Sequence, residues 1–265
     1  MKEKVRPKKS LGQNFLRDDN VARKIVALAR GEKKIVEIGP GQGALTRFLL
    51  ESGFEVAAIE KDWRLVFDLR RRFLNLPLVC ADALFFPWEK VQGRAIIGNL
   101  PYNVASPIIW EILSRSGFSL AVFMVQKEVA RRLCASPDGK EYGALSVWAQ
   151  TLSVPEYAFT VSPNVFFPRP GVDSAVVTFR PARTKVNRYF LEKTLRLLFQ
   201  KRRKQIGGLL RAFWDEDFEQ WLASCNLKKT SRPENIAPQS FLLLSELFEK
   251  KSKKMGQSTG QVSFS

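Results

Sequence analysis

The chain has 265 residues, 45% of them hydrophobic and 26% charged, which suits one large globular domain with a small companion; no apolar run approaches the roughly 20 residues of a membrane span. Lys and Arg number 43 against 26 Asp and Glu, and a net charge of +17 implies a polyanionic partner, most economically nucleic acid. The absence of histidine removes the usual general base, Ser-His and Cys-His nucleophile pairs and most zinc sites, and the widely spaced Cys80, Cys134 and Cys225 suggest neither a disulfide framework nor a metal centre.

The N-terminus, MKEKVRPKKS, lacks the apolar stretch of a secretory signal, so a reducing, cytoplasmic setting is expected. A basic tail over residues 1–9 precedes a helix predicted from about Asp18 to Ala29. A strand over Lys34–Ile38 (KIVEI) leads through the Gly-rich loop GPGQG to a helix over Ala44–Glu51. The next strand, Glu55–Ile59, ends in Glu60, and Leu65, Leu69 and Phe73 mark a helix over Trp63–Phe73. Strands follow at Leu78–Ala81, ending in Asp82, and at Arg94–Gly98, ending in NLPY; a helix is expected over Ile108–Leu113. Leu120–Val125 reads as a strand, Lys127–Leu133 as a helix and SPDGKEYG as a mobile loop. A last strand is expected in DSAVVTF and only helix after Asn187. The alternation predicts an α/β class with a doubly wound parallel sheet. Residues 1–181 form the sheet domain on this reading, 182–251 a small helical domain, and 252–265 a polar tail expected to be disordered.

Two places carry chemistry. In the first, Gly39 and Gly41 lie where a strand turns into a helix, so the backbone can approach a ligand and the helix start offers N–H groups. Glu60, at the next strand end, suits a carboxylate accepting hydrogen bonds from ribose hydroxyls. The glycine pattern departs from GxGxxG and better suits a ligand with one nucleoside and no pyrophosphate, such as S-adenosylmethionine; Asp82 reads either as a contact to its adenine amino group or as a helix N-cap.

The second is NLPY. The exocyclic N6 of adenine is a poor nucleophile because its lone pair is delocalised into the ring. The Asn99 side-chain oxygen and the Leu100 carbonyl would accept its two hydrogens, Pro101 would stiffen the turn, and the Tyr102 ring would stack on a flipped-out base. Such chemistry relies on positioning and needs no histidine. From Arg180 to Arg211 the charge is almost wholly positive, and the run Lys201, Arg202, Arg203 and Lys204 is expected to contact RNA.

The stretches KKSLGQNFL, VEIGPGQGALT, IEKD, NLPYNVASP, FFPRPGVDSAVVTF and LFQKRRK resemble the ribosomal RNA adenine N6-dimethyltransferases, the KsgA family. The resemblance implies a Rossmann-like methyltransferase domain with a small helical C-terminal domain, S-adenosylmethionine as donor, and two adjacent adenosines near the 3′ end of 16S rRNA, in the 30S subunit or its precursor, as substrate. It places the cofactor against Asn14, Leu16, Gly39, Glu60, Asp82 and Asn99, and the target base between Tyr102 and Phe167 or its neighbour Phe166. Asn14 taken alone reads as a turn or cap residue. A monomer is expected. The rival readings are a 23S rRNA adenine N6-methyltransferase of the macrolide-resistance type and an inactive nucleic-acid-binding relative.

Overall fold

The computed structural model describes residues 6–8, 11–183 and 186–258. They divide into two compact units, one over residues up to 131 together with 153–181, the other over 132–152 and the residues from 182 onward.

The first unit is built on strands β1 (Phe15–Leu16), β2 (Lys34–Ile38), β3 (Glu55–Glu60), β4 (Leu78–Cys80), β5 (Ala95–Asn99), β6 (Leu120–Gln126), β7 (Ser153–Val161), β8 (Phe166–Phe167) and β9 (Ser174–Pro181). Seven of them form one sheet in the order β4-β3-β2-β5-β6-β9-β7. The five from β4 to β6 run parallel, while β9 lies antiparallel to both β6 and β7. Ile35, Ile96, Ile97 and the run Ala121–Val125 are buried, as expected where helices cover both faces of a parallel sheet and strands need not alternate. Helices α1 (Asp19–Ala27), α2 (Ala44–Glu51), α3 (Trp63–Arg72), α4 (Ala105–Arg115) and most of α5 (Lys127–Leu133) belong to this unit. Asp18 caps α1 by accepting from the Val21 N–H, and Asp62 caps α3 by accepting from Arg64.

The chain winds from β2 outward to β3 and β4, then returns to place β5 on the other side of β2. A crevice therefore opens beyond the carboxyl ends of β2 and β5, where open α/β sheets bind ligands.

The sheet is mixed rather than wholly parallel, because β9 runs antiparallel to β6, and β7, absent from the sequence reading, pairs along β9 as an edge strand. Pro155 is tolerated there because an edge strand needs ladder donors on one side only.

The second unit contains α6 (Ala144–Leu152), α7 (Arg188–Phe199), α8 (Ile206–Leu209), α9 (Glu216–Ser224) and α10 (Pro238–Ser258). Its core holds Leu191, Leu195, Leu198, Phe218, Phe241 and Leu244, with Phe199 stacked on Phe241 at 5.5 Å between centroids. A single cut at residue 181 does not describe this chain, since 132–152 joins the helical unit. Tyr142 is fully buried and its hydroxyl donates to the Ile236 carbonyl at 2.7 Å, which ties the inserted segment down. The loop SPDGKEYG is likewise held rather than loose. The Asp138 N–H donates to the Glu234 carbonyl at 2.9 Å, and the Asn235 amide donates to the Asp138 carboxylate at 2.5 Å. The tail expected to be disordered from residue 252 is helical through Ser258, and 259–265 lie outside the described residues, as do 1–5 and 9 of the basic tail. Among the described residues no helix is long and apolar enough to cross a membrane.

Candidate active site

A cavity of about 130 Å³ opens at the carboxyl ends of the parallel strands. Its floor is the glycine loop after β2. Gly39 has φ +61°, and a Cβ there would meet only the Asn99 carbonyl, at 3.9 Å, so a side chain would fill space that the cavity leaves open. Gly98, just before Asn99, is required for a different reason: a Cβ would stand 2.9 Å from the Ile38 carbonyl, so only glycine lets β5 lie this close to β2.

Glu60 ends β3 and is buried. Its carboxylate accepts the Gly41 N–H at 3.1 Å and the Asp62 N–H at 2.9 Å, so it holds the glycine loop in place as well as lining the cavity. Burial raises its pKa, against the pull of those two N–H groups. Asp62 is held near 2 by the Arg64 guanidinium and also accepts from Gln13 at 3.1 Å. Asp82, beyond β4, accepts the Leu84 N–H at 3.0 Å and pairs with Lys61 at 2.7 Å. Burial works to raise its pKa, but Lys61 and the Leu84 N–H outweigh it and keep the carboxylate charged. The cap and the ligand readings of Asp82 are thus compatible: one oxygen caps the turn, and the residue lines the cavity.

Asn99 closes β5. Its side-chain nitrogen donates to the Asn14 carbonyl at 2.9 Å. That carbonyl can only accept, so the amide must present nitrogen to it, and the oxygen points the other way as a committed acceptor. The Leu100 N–H is taken by the Met124 carbonyl at 3.0 Å, which fixes the start of the turn. Tyr102 is anchored by a short hydrogen bond between its hydroxyl and that of Ser174, the first residue of β9. Burial raises the tyrosine pKa, against the Ser174 contact, so the ring is neutral.

Leu11, Gly12, Gln13 and Asn14 form a further wall. It is positioned by the pairing of β1 with β8, which sets Phe15 opposite Phe167 and Leu16 opposite Phe166, and by the Arg17 N–H donating to the Val165 carbonyl at 2.8 Å.

Asn14, Gly39, Gly41, Glu60, Asp82, Asn99, Leu100, Pro101 and Tyr102 therefore share one cavity. Leu16 does not: its side chain lies in the hydrophobic core, because the β1–β8 pairing turns it inward, and it reaches only a small adjoining recess. Phe167 does not line the cavity either. It is 45% exposed with the Arg17 guanidinium 4.0 Å over its ring, whereas Phe166 is core. Of the two phenylalanines, Phe167 is the one open to a partner.

Glu37 was missed by the sequence reading. It is buried within β2, accepts the Thr46 hydroxyl at 2.7 Å, and is pushed up to about 8 by that burial, with Thr46 pulling it down and the charge of Glu60 adding to the rise. The sequence around it, a charged residue inside an apolar strand just before a glycine loop, was the available signal. The lining suits a small ligand that offers hydroxyl and amino donors to Glu60, Asp82 and the Asn99 oxygen, and S-adenosylmethionine has both.

In the second unit, Lys201, Arg203 and Lys204 are exposed on the turn that follows α7. Arg202 is not available in the same way. It donates to Glu234 at 2.7 Å and to the Lys140 carbonyl at 3.1 Å, so this guanidinium serves the fold.

Residues 4–250 match the family described as "Ribosomal RNA adenine dimethylase". A protein of Nitratidesulfovibrio vulgaris named ribosomal RNA small subunit methyltransferase A is 45% identical over 255 residues, covering 91% of this chain and 96% of its own length. The protein of the same name from Chlamydia caviae is 37% identical over 91% of this chain and 92% of its own. Among solved structures, a dimethyladenosine transferase from Plasmodium falciparum superposes with a TM-score of 0.76 at 25% identity, over 90% of this chain and 98% of that one. The 23S rRNA methyltransferase ErmE superposes with a TM-score of 0.70 at 26% identity, over 89% and 100%. With the cavity, its acceptors and this likeness along nearly the whole chain, the chain belongs to the ribosomal RNA adenine dimethylase family.

Proposed function

We infer that this chain transfers methyl groups from S-adenosylmethionine to N6 of two adjacent adenosines near the 3′ end of 16S rRNA, working on the 30S subunit or its precursor. The observation that carries the chemistry is the Asn99 amide, whose nitrogen is engaged by the Asn14 carbonyl and whose oxygen is thereby an acceptor at the cavity.

S-adenosylmethionine, when bound, supplies an electrophilic methyl group on a positively charged sulfur. Glu60 and Asp82 would hold its ribose hydroxyls and adenine amino group, and Gly39 leaves room for it. Asn99 and the Leu100 carbonyl accept the two N6 hydrogens of the target base and localise its lone pair for attack. Tyr102, with its hydroxyl held by Ser174, offers a fixed ring on which that base stacks. As the new N–C bond forms and the methyl–sulfur bond breaks, its electron pair staying on sulfur so that S-adenosylhomocysteine leaves, N6 becomes positive, and the Asn99 oxygen binds it more strongly than it bound the ground state. The proton then leaves N6 for water; an amide and a peptide carbonyl cannot take it up, and the chain has no histidine. Two acceptors permit a second transfer, because a monomethylated N6 keeps one hydrogen and needs only one of them.

The small-subunit target is favoured over the 23S alternative by full-length relatives 37–45% identical and named for the small subunit, against 26% for ErmE. Incubation of unmethylated 30S particles and of 23S rRNA with labelled S-adenosylmethionine tests the reading: label is expected in the 30S particles, and label confined to 23S rRNA would transfer the assignment to the alternative.

A further inference from the structure

The helical unit contains a groove of about 360 Å³ that the methyl-transfer chemistry does not use. Tyr189 and Phe190 of α7 form one wall, packed edge to face at 5.2 Å, and Phe213 with Phe248 of α10 forms another, also edge to face at 5.2 Å. The pairs leave aromatic surface in solvent: Tyr189 is 55% exposed and Phe213 39%. Lys193 lies over the Tyr189 ring at 4.6 Å, and Arg196, its side chain 71% exposed and ion-paired at 3.6 Å with Glu192 on the same helix, stands on the same lip.

The aromatic walls and cationic rim of the groove select what could cover it. The lip cations stand on α7, which runs into the turn bearing Lys201, Arg203 and Lys204. A polyanion following that turn would carry its next residues across the groove. Aromatic faces beside a row of cations suit one polymer: a nucleic-acid strand whose bases stack while its phosphates meet the lysines and arginines.

We propose that the groove between α7, Phe213 and α10 is a second base-binding site, which takes one unpaired nucleobase of the RNA substrate, stacked on Tyr189, with its phosphate against Lys193 and Arg196. The site rests on the RNA substrate inferred above but is separate from the methyl-transfer cavity, and no base bound there reacts. Its role is to hold the particle in register by a base pulled from a helix junction or loop.

Three proteins test it: wild type, Tyr189→Ala, and Tyr189→Phe, which keeps the ring. Tyr189 is more than half exposed, so both variants should retain the fold, which circular dichroism would check. With the cofactor site filled by S-adenosylhomocysteine, 2-aminopurine riboside monophosphate should be quenched equally by wild type and Tyr189→Phe and less by Tyr189→Ala, which keeps only the quenching due to stacking on Tyr102. In steady-state methylation of unmethylated 30S particles, Tyr189→Ala should raise KM by about 5- to 150-fold with kcat within about twofold of wild type, and Tyr189→Phe should match wild type. Equal quenching by wild type and Tyr189→Ala, or a wild-type KM in Tyr189→Ala, would overturn the site. So would weaker binding of Tyr189→Ala to 30S particles with undiminished binding to protein-free 16S rRNA, because the groove would then take a ribosomal protein. Quenching that is lost in Tyr189→Ala, from a wild type that methylates no rRNA, would leave the site standing and remove the substrate assignment instead.

Discussion

Replacing Glu60 by glutamine isolates what its carboxylate does. The two oxygens accept separate backbone donors, Gly41 N–H at 3.1 Å and Asp62 N–H at 2.9 Å. Glutamine has the same size but only one acceptor oxygen, so one N–H must face an NH₂ group and lose its partner. Leaving a buried donor unsatisfied costs about 1–3 kcal/mol. Removal of the charge itself should cost the fold little, because burial already disfavours the ionised form. If the Gly41 bond is the one lost, the glycine loop loosens where the ligand lies, and the ribose contact weakens with it. Titration calorimetry with S-adenosylhomocysteine should show Kd raised by about 5- to 150-fold in Glu60→Gln. A Kd within twofold of wild type in a normally folded variant would refute this account of Glu60 and of the loop it braces.

Asn99→Ala should slow methyl transfer by about 100-fold or more under single-turnover conditions while 30S binding changes little, since its acceptor strengthens as N6 gains charge; a near wild-type rate would dismiss the clamp. Changing Lys201, Arg203 and Lys204 together to alanine should flatten the slope of log K against log salt for RNA by about 2–2.7, at roughly 0.7–0.9 per phosphate contact. Arg202→Ala should instead lower the unfolding free energy by about 1 kcal/mol with little effect on the slope, because its ion pair is internal. Glu37 has a folded pKa of about 8 against 4.5, so its contribution to stability is greatest below about 4.5 and is lost as pH rises towards about 8. Urea unfolding at several pH values should show stability falling over that window by up to about 1.4 kcal/mol per pH unit, and Glu37→Gln should flatten the fall.

The residues legible from sequence are those at strand ends, where an apolar run stops and a glycine, carboxylate or amide takes over: Gly39, Glu60, Asp82 and Asn99 now share one cavity. What escaped depended on distant partners. Asn14 enters the site through its backbone carbonyl, which meets an amide 85 positions away, and a backbone group has no sequence signature. Leu16 and Phe167 were placed by resemblance. The β1–β8 ladder decides which of their side chains face the core, and that pairing joins residues about 150 positions apart. Charge density alone treated Lys201 to Lys204 as equivalent, but Glu234 singles out Arg202. β7 was hidden because Pro155 and a bulge after Tyr157 interrupt its alternation, which its edge position tolerates. Tyr142 looked like part of a polar loop until the Ile236 carbonyl supplied its partner.

The central claim is that the clamp of Asn99 and Leu100 acts twice on each of two neighbouring bases in small-subunit rRNA. Mass spectrometry of nuclease fragments from unmethylated 30S particles, after reaction with S-adenosylmethionine and this protein, tests it most directly. Two adjacent N6,N6-dimethyladenosines near the 3′ end of 16S rRNA are expected. Modification that stops at monomethyladenosine, or falls on a single isolated adenosine, would contradict it.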